Sequence, residues 1–298
     1  MKIVVTGSLG HIGKPLTQEL VKKGHTVTVI SSNPQKKAAI EALGATAAIG
    51  TLMDLAFLTT TFTGADLVYT MLPPANYFNP ELDLDAHCEQ LGRNFAQAIR
   101  RSGIKRAIHL SSIGADLAEG SGLIRLHHRM ETILNELPDV DLTFMRPTGF
   151  YYNLFGYVQM IKSMGVIAAN YGETDEMAWV APADIAAAIA DEIAKPPAHR
   201  RIRYVASDEL SCNEVAHILG AAIGKPDLKW IIIPGEQMQS GLESAGMPRV
   251  IAAGLVEMYA AVHSGVLGAD YYRNRPAVMG KIKLTDFAPE FAAVYNQN

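Results

Sequence analysis

The chain has 298 residues, 49% of them apolar, and a formal net charge of −4. That length suits one large domain or two smaller ones with a sizeable core, and the mild acidity argues against a nucleic-acid surface. No apolar run reaches the roughly 18 residues that span a bilayer, and Cys88 and Cys212 lie too far apart in sequence to suggest a disulfide framework or a metal knuckle.

The first element is a short apolar run, Ile3-Val4-Val5, which reads as a buried strand over 2–6. Because the chain opens directly on a strand, no signal peptide is expected and a cytoplasmic location follows. Glycines stand at 7, 10 and 13, and a helix over 12–23 follows, with Ile12, Leu16, Leu20 and Val21 on one face. Strand, glycine turn and helix in that order form a dinucleotide site. Gly7 permits the turn, Gly10 lets a pyrophosphate reach the backbone, and Gly13 lets helix pack on strand. Free amides at the helix start bind the phosphates.

Further strands are predicted at 26–30, 45–49, 66–71, 105–110 and 141–146. Helices are predicted at 34–43, 54–62, 84–102 and 123–137. The alternation implies right-handed crossovers and an α/β, doubly wound parallel sheet with helices on both faces. Asp54 reads as an N-cap. Residues 147–180 lack a clean period and read as loops and short elements over the carboxyl ends of the strands. Pro182 and Asp184 suit the first turn of a helix to about 194. A strand near 201–206 follows. Ser211 and Glu214 form a capping box ahead of a helix to Ile223. Residues 228–233 read as a strand and 235–265 as helices. The division is a dinucleotide domain, 1–150, and a smaller α/β substrate lobe, 151–298, part of it interleaved with the first.

Five segments carry a family resemblance in order along the chain. They are Thr6-Gly7-Ser8-Leu9-Gly10-His11-Ile12-Gly13, Ser31-Ser32-Asn33-Pro34-Gln35-Lys36, His109-Leu110-Ser111-Ser112-Ile113-Gly114-Ala115, Met145 to Asn153, and Trp179 to Ala186. The chain resembles the NmrA-like branch of the atypical short-chain dehydrogenase/reductases. The resemblance implies a Rossmann-type fold and NAD(P) binding. That branch includes NAD(P)H-dependent quinone reductases and redox sensors that bind dinucleotide without turning it over.

Active members of the wider superfamily carry a Tyr four residues before a Lys on the helix after the fifth strand. Aligning Glu131 with the family's helix glutamate puts His127 at the lysine position and Leu123 at the tyrosine position. The phenol that would pass a proton is missing. Ser112 and His127 are the catalytic candidates. No carboxylate ends the second strand, where one would favour NAD. Ser31, Ser32, Asn33 and Lys36 suit a 2′-phosphate, so NADP is preferred over NAD. The glycine loop, Thr51, Leu52, Met71, Leu72, Pro73, Ser111, His127 and Pro147 complete the expected cofactor contacts. Phe150, Tyr151, Tyr152 and Asn153 are the expected substrate wall, suited to a planar acceptor. The expected partner is a small molecule, with no metal, nucleic acid or membrane, for a monomer or homodimer. Two functions remain open: a reductase of a small planar apolar acceptor, and a non-catalytic redox sensor.

Overall fold

The computed structural model describes residues 1–297. The chain runs β1 (Lys2–Val5), α1 (Gly13–Lys22), β2 (Thr26–Ser31), α2 (Lys37–Ala42), β3 (Thr46–Ile49), α3 (Leu55–Phe62), β4 (Leu67–Met71), α4 (Leu84–Ser102), β5 (Arg106–Leu110), α5 (Arg125–Asn135) and β6 (Asp141–Pro147). It continues through β7 (Gly149–Phe150), α6 (Val158–Met164), β8 (Ile167–Ala169), β9 (Glu176–Val180), α7 (Pro182–Ala194), β10 (Arg200–Val205), β11 (Asp208–Ser211) and α8 (Cys212–Ala222). Last come β12 (Trp230–Ile232), α9 (Gly235–Ser244), α10 (Arg249–His263), α11 (Ala269–Arg273) and α12 (Leu284–Asn296).

Seven strands form one parallel sheet in the order β10-β6-β5-β4-β1-β2-β3. The central strands are covered on both faces, which is why β1 and β4 show no polar alternation, whereas the edge strand β10 carries Arg200, Arg201 and Arg203. Val4, Val68, Ala107, Leu142 and Phe144 pack with Leu58, Phe95 and Met130 of α3, α4 and α5. Ile3, Val5, Val29, Leu67 and Ile108 face Leu16, Leu20 and Ile189 of α1 and α7. The order reverses between β1 and β4, and such a switch opens a crevice at the carboxyl edge.

Local signals account for several boundaries. The Asp54 carboxylate accepts from the Phe57 amide, as its N-cap role requires. The Ser211–Glu214 capping box is complete, with Glu214 also accepting from the Ser211 amide. Pro182 takes the first position of α7 and Asp184 its first turn. The helix expected over 34–43 is split into a 3₁₀ turn at Pro34–Lys36 and the short α2. Asn33 causes the split, since its side chain accepts from the Gln35 amide and caps the turn.

The main sheet also recruits a late stretch of the chain. Residues 182–205 return to the main sheet as α7 and β10, and β10 pairs with β6. A separate hydrophobic core gathers Tyr151, Leu154, Trp179, Val215, Trp230 and Phe291. Residues 147–180 are more ordered than their irregular sequence suggests. β9 pairs antiparallel with β11 and parallel with β7, and β8 pairs with β12.

A buried ion pair fastens the back of the sheet's carboxyl edge. Arg146 of β6 donates to both oxygens of Glu131 of α5, at 2.9 and 2.7 Å. Ser111 donates to the same carboxylate at 2.5 Å, and Arg146 also donates to the Tyr204 phenol of β10 at 3.1 Å. Removing one partner of such a pair leaves a buried charge. Glu131→Ala is expected to lower unfolding free energy by about 3–5 kcal/mol, whereas Arg93→Ala, in an exposed pair with Glu89 and Glu136, is expected to leave stability nearly unchanged. Urea denaturation of the two variants checks this contrast.

Candidate functional site

The site begins where β1 turns into α1. Gly7 has φ of +87°, and a side chain there would also collide with the Met71 sulfur at the end of β4. Ser8 follows at φ +57°, its amide bonded to the Ile30 carbonyl at 3.1 Å. A Cβ at position 13 would strike the Ser8 carbonyl, so only glycine lets α1 start there. Gly10 differs. It is exposed, and a Cβ there meets only the Gly7 carbonyl oxygen at 3.6 Å. Ile12 precedes α1 without a side-chain cap. Lys14 and Leu16 already donate to the Gly10 and Ile12 carbonyls at 3.0 Å and Pro15 has no N–H, so the amides of His11, Ile12 and Gly13 are the ones left for an anion.

Beside this loop lies a cleft of about 320 Å³. Gly7, Ser8, Ser31, Ser32, Thr51, Leu52 and Pro73 line it, all expected from sequence, together with Met53, His87 and Leu91. Small hydroxyls sit at one side and apolar side chains at the other, which suits a ribose and a flat base. Ser32 lines it just past the end of β2, and the exposed Lys36 and Lys37 follow on the next turn and the start of α2. A hydroxyl and cations are the groups that suit a 2′-phosphate. His87 and Leu91, four apart on α4, went unnoticed in the sequence. Their shared helical face is the signal that could have found them.

Several expected contacts are redirected. The Ser31 hydroxyl is buried, accepts from Ser8 at 3.0 Å and donates to the Asn33 carbonyl at 3.3 Å, so it braces the turn. Asn33 spends its side-chain oxygen on the cap described above. Ser111 is buried against Glu131 and does not face the cleft. Ile12 and Pro147 are buried, and Leu9, Met71 and Leu72 are half-buried against the core. Ser112 is half-buried, with no side-chain hydrogen bond among the described residues.

The aromatic wall divides in the same way. Tyr151 is not a pocket residue. It is fully buried, stacked on Phe287 at 5.6 Å, and its phenol donates to Asp208 at 2.7 Å. Tyr152 instead turns toward the glycine loop and stacks on the exposed His11 ring, with centroids 4.5 Å apart. Phe150 lies 5.1 Å from Tyr152, and Asn153 is exposed. Burial, with Tyr77 nearby, pushes the Tyr152 phenol up to about 12, so it stays protonated at neutral pH.

Leu123 is buried beneath α10, so closely that a Cβ on Gly254 would fall 2.8 Å from its Cδ2. His127, one turn on, is half-buried and its Nδ1 has no partner. Desolvation lowers its pKa to about 4. His109 of β5 is fully buried; desolvation, then the neighbouring His127, lowers its pKa to about 3. Among the described residues there is no cluster of three His, Cys, Asp or Glu side chains able to hold a metal ion, and no helix is long and apolar enough to cross a membrane.

A sequence profile of the NmrA-like family matches residues 1–265. The chain is 24% identical over 226 residues to (4-alkanoyl-5-oxo-2,5-dihydrofuran-3-yl)methyl phosphate reductase from Streptomyces griseus, covering 75% of this chain and 74% of that protein. Among solved structures it is similar to the NADPH-dependent quinone oxidoreductase of Escherichia coli complexed with NADPH. The identity is 20%, 97% of this chain and 99% of that one are covered, and the TM-score is 0.74. It is also similar to the Citrobacter sp. triphenylmethane reductase complexed with NADP(H), with 21% identity, 97% and 99% coverage and a TM-score of 0.77. At these identities the structural likeness establishes the fold alone.

The depressed imidazoles set a pH dependence. The unfolded chain binds more protons at these histidines between about pH 4 and 6.5, so their neutral burial stabilises the fold fully above that window. Unfolding free energy is therefore expected to fall as pH drops through it. His109→Asn, which removes one of the two imidazoles, is expected to flatten the slope in denaturant titrations from pH 7 to about 4.

Proposed function

Because the chain belongs to the NmrA-like family, we propose that it is an NADPH-dependent reductase that passes hydride to a small, planar, apolar acceptor of the quinone kind. The observation that carries this reading is the join between the cleft and the aromatic wall. Tyr152 stacks on His11 of the very loop whose glycines and amides suit a diphosphate. A planar ring held there lies beside the dinucleotide's path, and proximity supplies most of the catalysis. The NADPH- and NADP-bound quinone and triphenylmethane reductases that share the fold support the choice of cofactor and of a flat acceptor.

The residues divide the work. Gly7, Gly10 and Gly13 with the α1 amides hold the diphosphate. Ser32 and Lys36 favour the 2′-phosphate, and no carboxylate at the end of β2 repels it. Leu52, Met53, Pro73 and Leu91 cover the base. Bound there, the reduced nicotinamide supplies the hydride. Phe150 and Tyr152 orient the acceptor and exclude water, and Ser112 and His127 are the polar candidates beside it. With Leu123 in place of a phenol, no Tyr-x-x-x-Lys relay operates, and the reduced oxyanion takes its proton from solvent. Simple ketones, which need an acid, are poor substrates. The protein works as a cytoplasmic monomer or homodimer without a nucleic-acid partner, in keeping with its net charge of −4.

The buried Leu123 also favours a second reading, a redox sensor that binds the dinucleotide without turnover. Loss of NADPH absorbance with a panel of quinones, aldehydes and ketones decides between them. The expected result is turnover of quinones and little with ketones. Tight NADPH binding with no acceptor turned over selects the sensor, and brisk ketone reduction contradicts the relay-free mechanism. Tyr152→Ala should raise KM for the quinone several-fold while NADPH affinity holds. Ser32→Asp should reverse the preference for NADPH over NADH in paired titrations.

A further inference from the structure

Thr6, Thr70 and His109 lie side by side across β1, β4 and β5. Thr70 pairs with His109 in register, and Thr6 follows the Val5–Tyr69 rung. All three are fully buried, on the face whose neighbours pack with α4 and α5. The Thr70 hydroxyl lies 2.9 Å from His109 Nδ1, while His109 Nε2 is buried without a partner. The sequence carries a signal for this site: a lone histidine in the apolar run Ala107-Ile108-His109-Leu110.

α5 joins two parallel strands, β5 and β6, so it runs antiparallel to both. Its Glu131 meets Ser111 just past the end of β5. His127 stands one turn earlier on the same helical face, so it lies beyond the carboxyl end of β5, level with the cleft. Its ring is half-buried, yet Nδ1 is fully buried and unpartnered. The outward edge is therefore the one carrying Nε2. His109 Nε2 and His127 Nδ1 are thus two buried ring nitrogens without partners on the side of the sheet where β5 packs with α5. Buried polar atoms of this kind are satisfied by ordered water.

We propose that His127 is the hydrogen-bond donor to the acceptor oxygen on which negative charge gathers, and that His109 holds it in the required tautomer. This deepens the reductase reading and rests on it. The Thr70 hydroxyl donates to His109 Nδ1, which leaves the His109 proton on Nε2. That N–H donates through ordered water toward His127 Nδ1, which leaves the His127 proton on Nε2, at the outward edge of the ring beyond the carboxyl end of β5. A neutral imidazole N–H then stabilises the oxyanion without giving up its proton. His127 acts as a catalytic residue, and His109 as a positioning residue.

Asparagine mimics the Nδ1 side of histidine and glutamine the Nε2 side, so the variants separate the roles. With 1,4-naphthoquinone and saturating NADPH, His127→Asn should lose about a hundredfold in kcat. His127→Gln should recover much of that loss. His109→Asn keeps the Thr70 contact and should lose about tenfold. NADPH affinity and circular dichroism should hold in all three. Nitrogen NMR of the ¹⁵N-histidine-labelled chain with NADPH bound should find both imidazoles neutral with the proton on Nε2. A His127 proton on Nδ1, or unchanged kcat in both asparagine variants, overturns the proposal while leaving the reductase reading intact. A wild-type chain that turns over no acceptor overturns the reductase reading and the oxyanion role together, even if the tautomers are as described.

Discussion

At position 13 nothing larger than hydrogen fits between α1 and the Ser8 carbonyl. That contact sets how far β1 runs before the chain turns, and so where the amides of the first helical turn end up. Gly7 imposes the matching condition from below, since its left-handed backbone lies against the Met71 sulfur. The loop is thus pinned between its own helix and the end of β4. Its outer surface at Gly10 is left clear. The crevice at the strand-order reversal supplies the remaining walls from β2, the β3–α3 turn and α4.

The other side of the site depends on a different kind of bond. Glu131 and Arg146 spend their charges on each other, on Ser111 and on Tyr204, tying α5 to β6 and β10. Tyr204 in turn donates to Asp270 of α11 at 2.6 Å, which draws the C-terminal segment onto the same cluster. These groups are satisfied by one another and serve the scaffold. Thr6, His109 and His127 keep buried polar atoms without partners. The contrast separates a structural polar network from polar groups with capacity to spare.

The sequence was legible wherever one residue type answers one local demand. The Gly13–Ser8 approach, the Asp54 cap and the Ser211–Glu214 box each rest on contacts a few residues apart, and each element stands where its signal puts it. Side-chain direction was harder to read. Tyr151 and Tyr152 are chemically equivalent in the sequence, yet a 3₁₀ turn over Tyr151–Tyr157 sends one into the lobe core and the other to His11. Ser111 and Ser112 part similarly at the end of β5, because Glu131 claims the first. The order in 147–180 was hidden for a related reason. β9 gains its neighbours from β7 and from β11, whose residues 208–211 lie far along the chain, so no local period announces it. Leu123 shows the reverse case. Its alignment position announces a missing phenol, and the tertiary contact with Gly254 explains why an apolar side chain sits there.

The central claim is that the glycine loop is a diphosphate cradle, and calorimetric titration of the chain and its Gly10→Val variant with NADPH tests it most directly. The free protein has room for a side chain at position 10, so the variant folds and only the bound phosphates are displaced. The account predicts one NADPH per wild-type chain and at least about a tenfold loss of affinity in the variant, about 1.4 kcal/mol, with native circular dichroism. Equal affinity in the two proteins would contradict it.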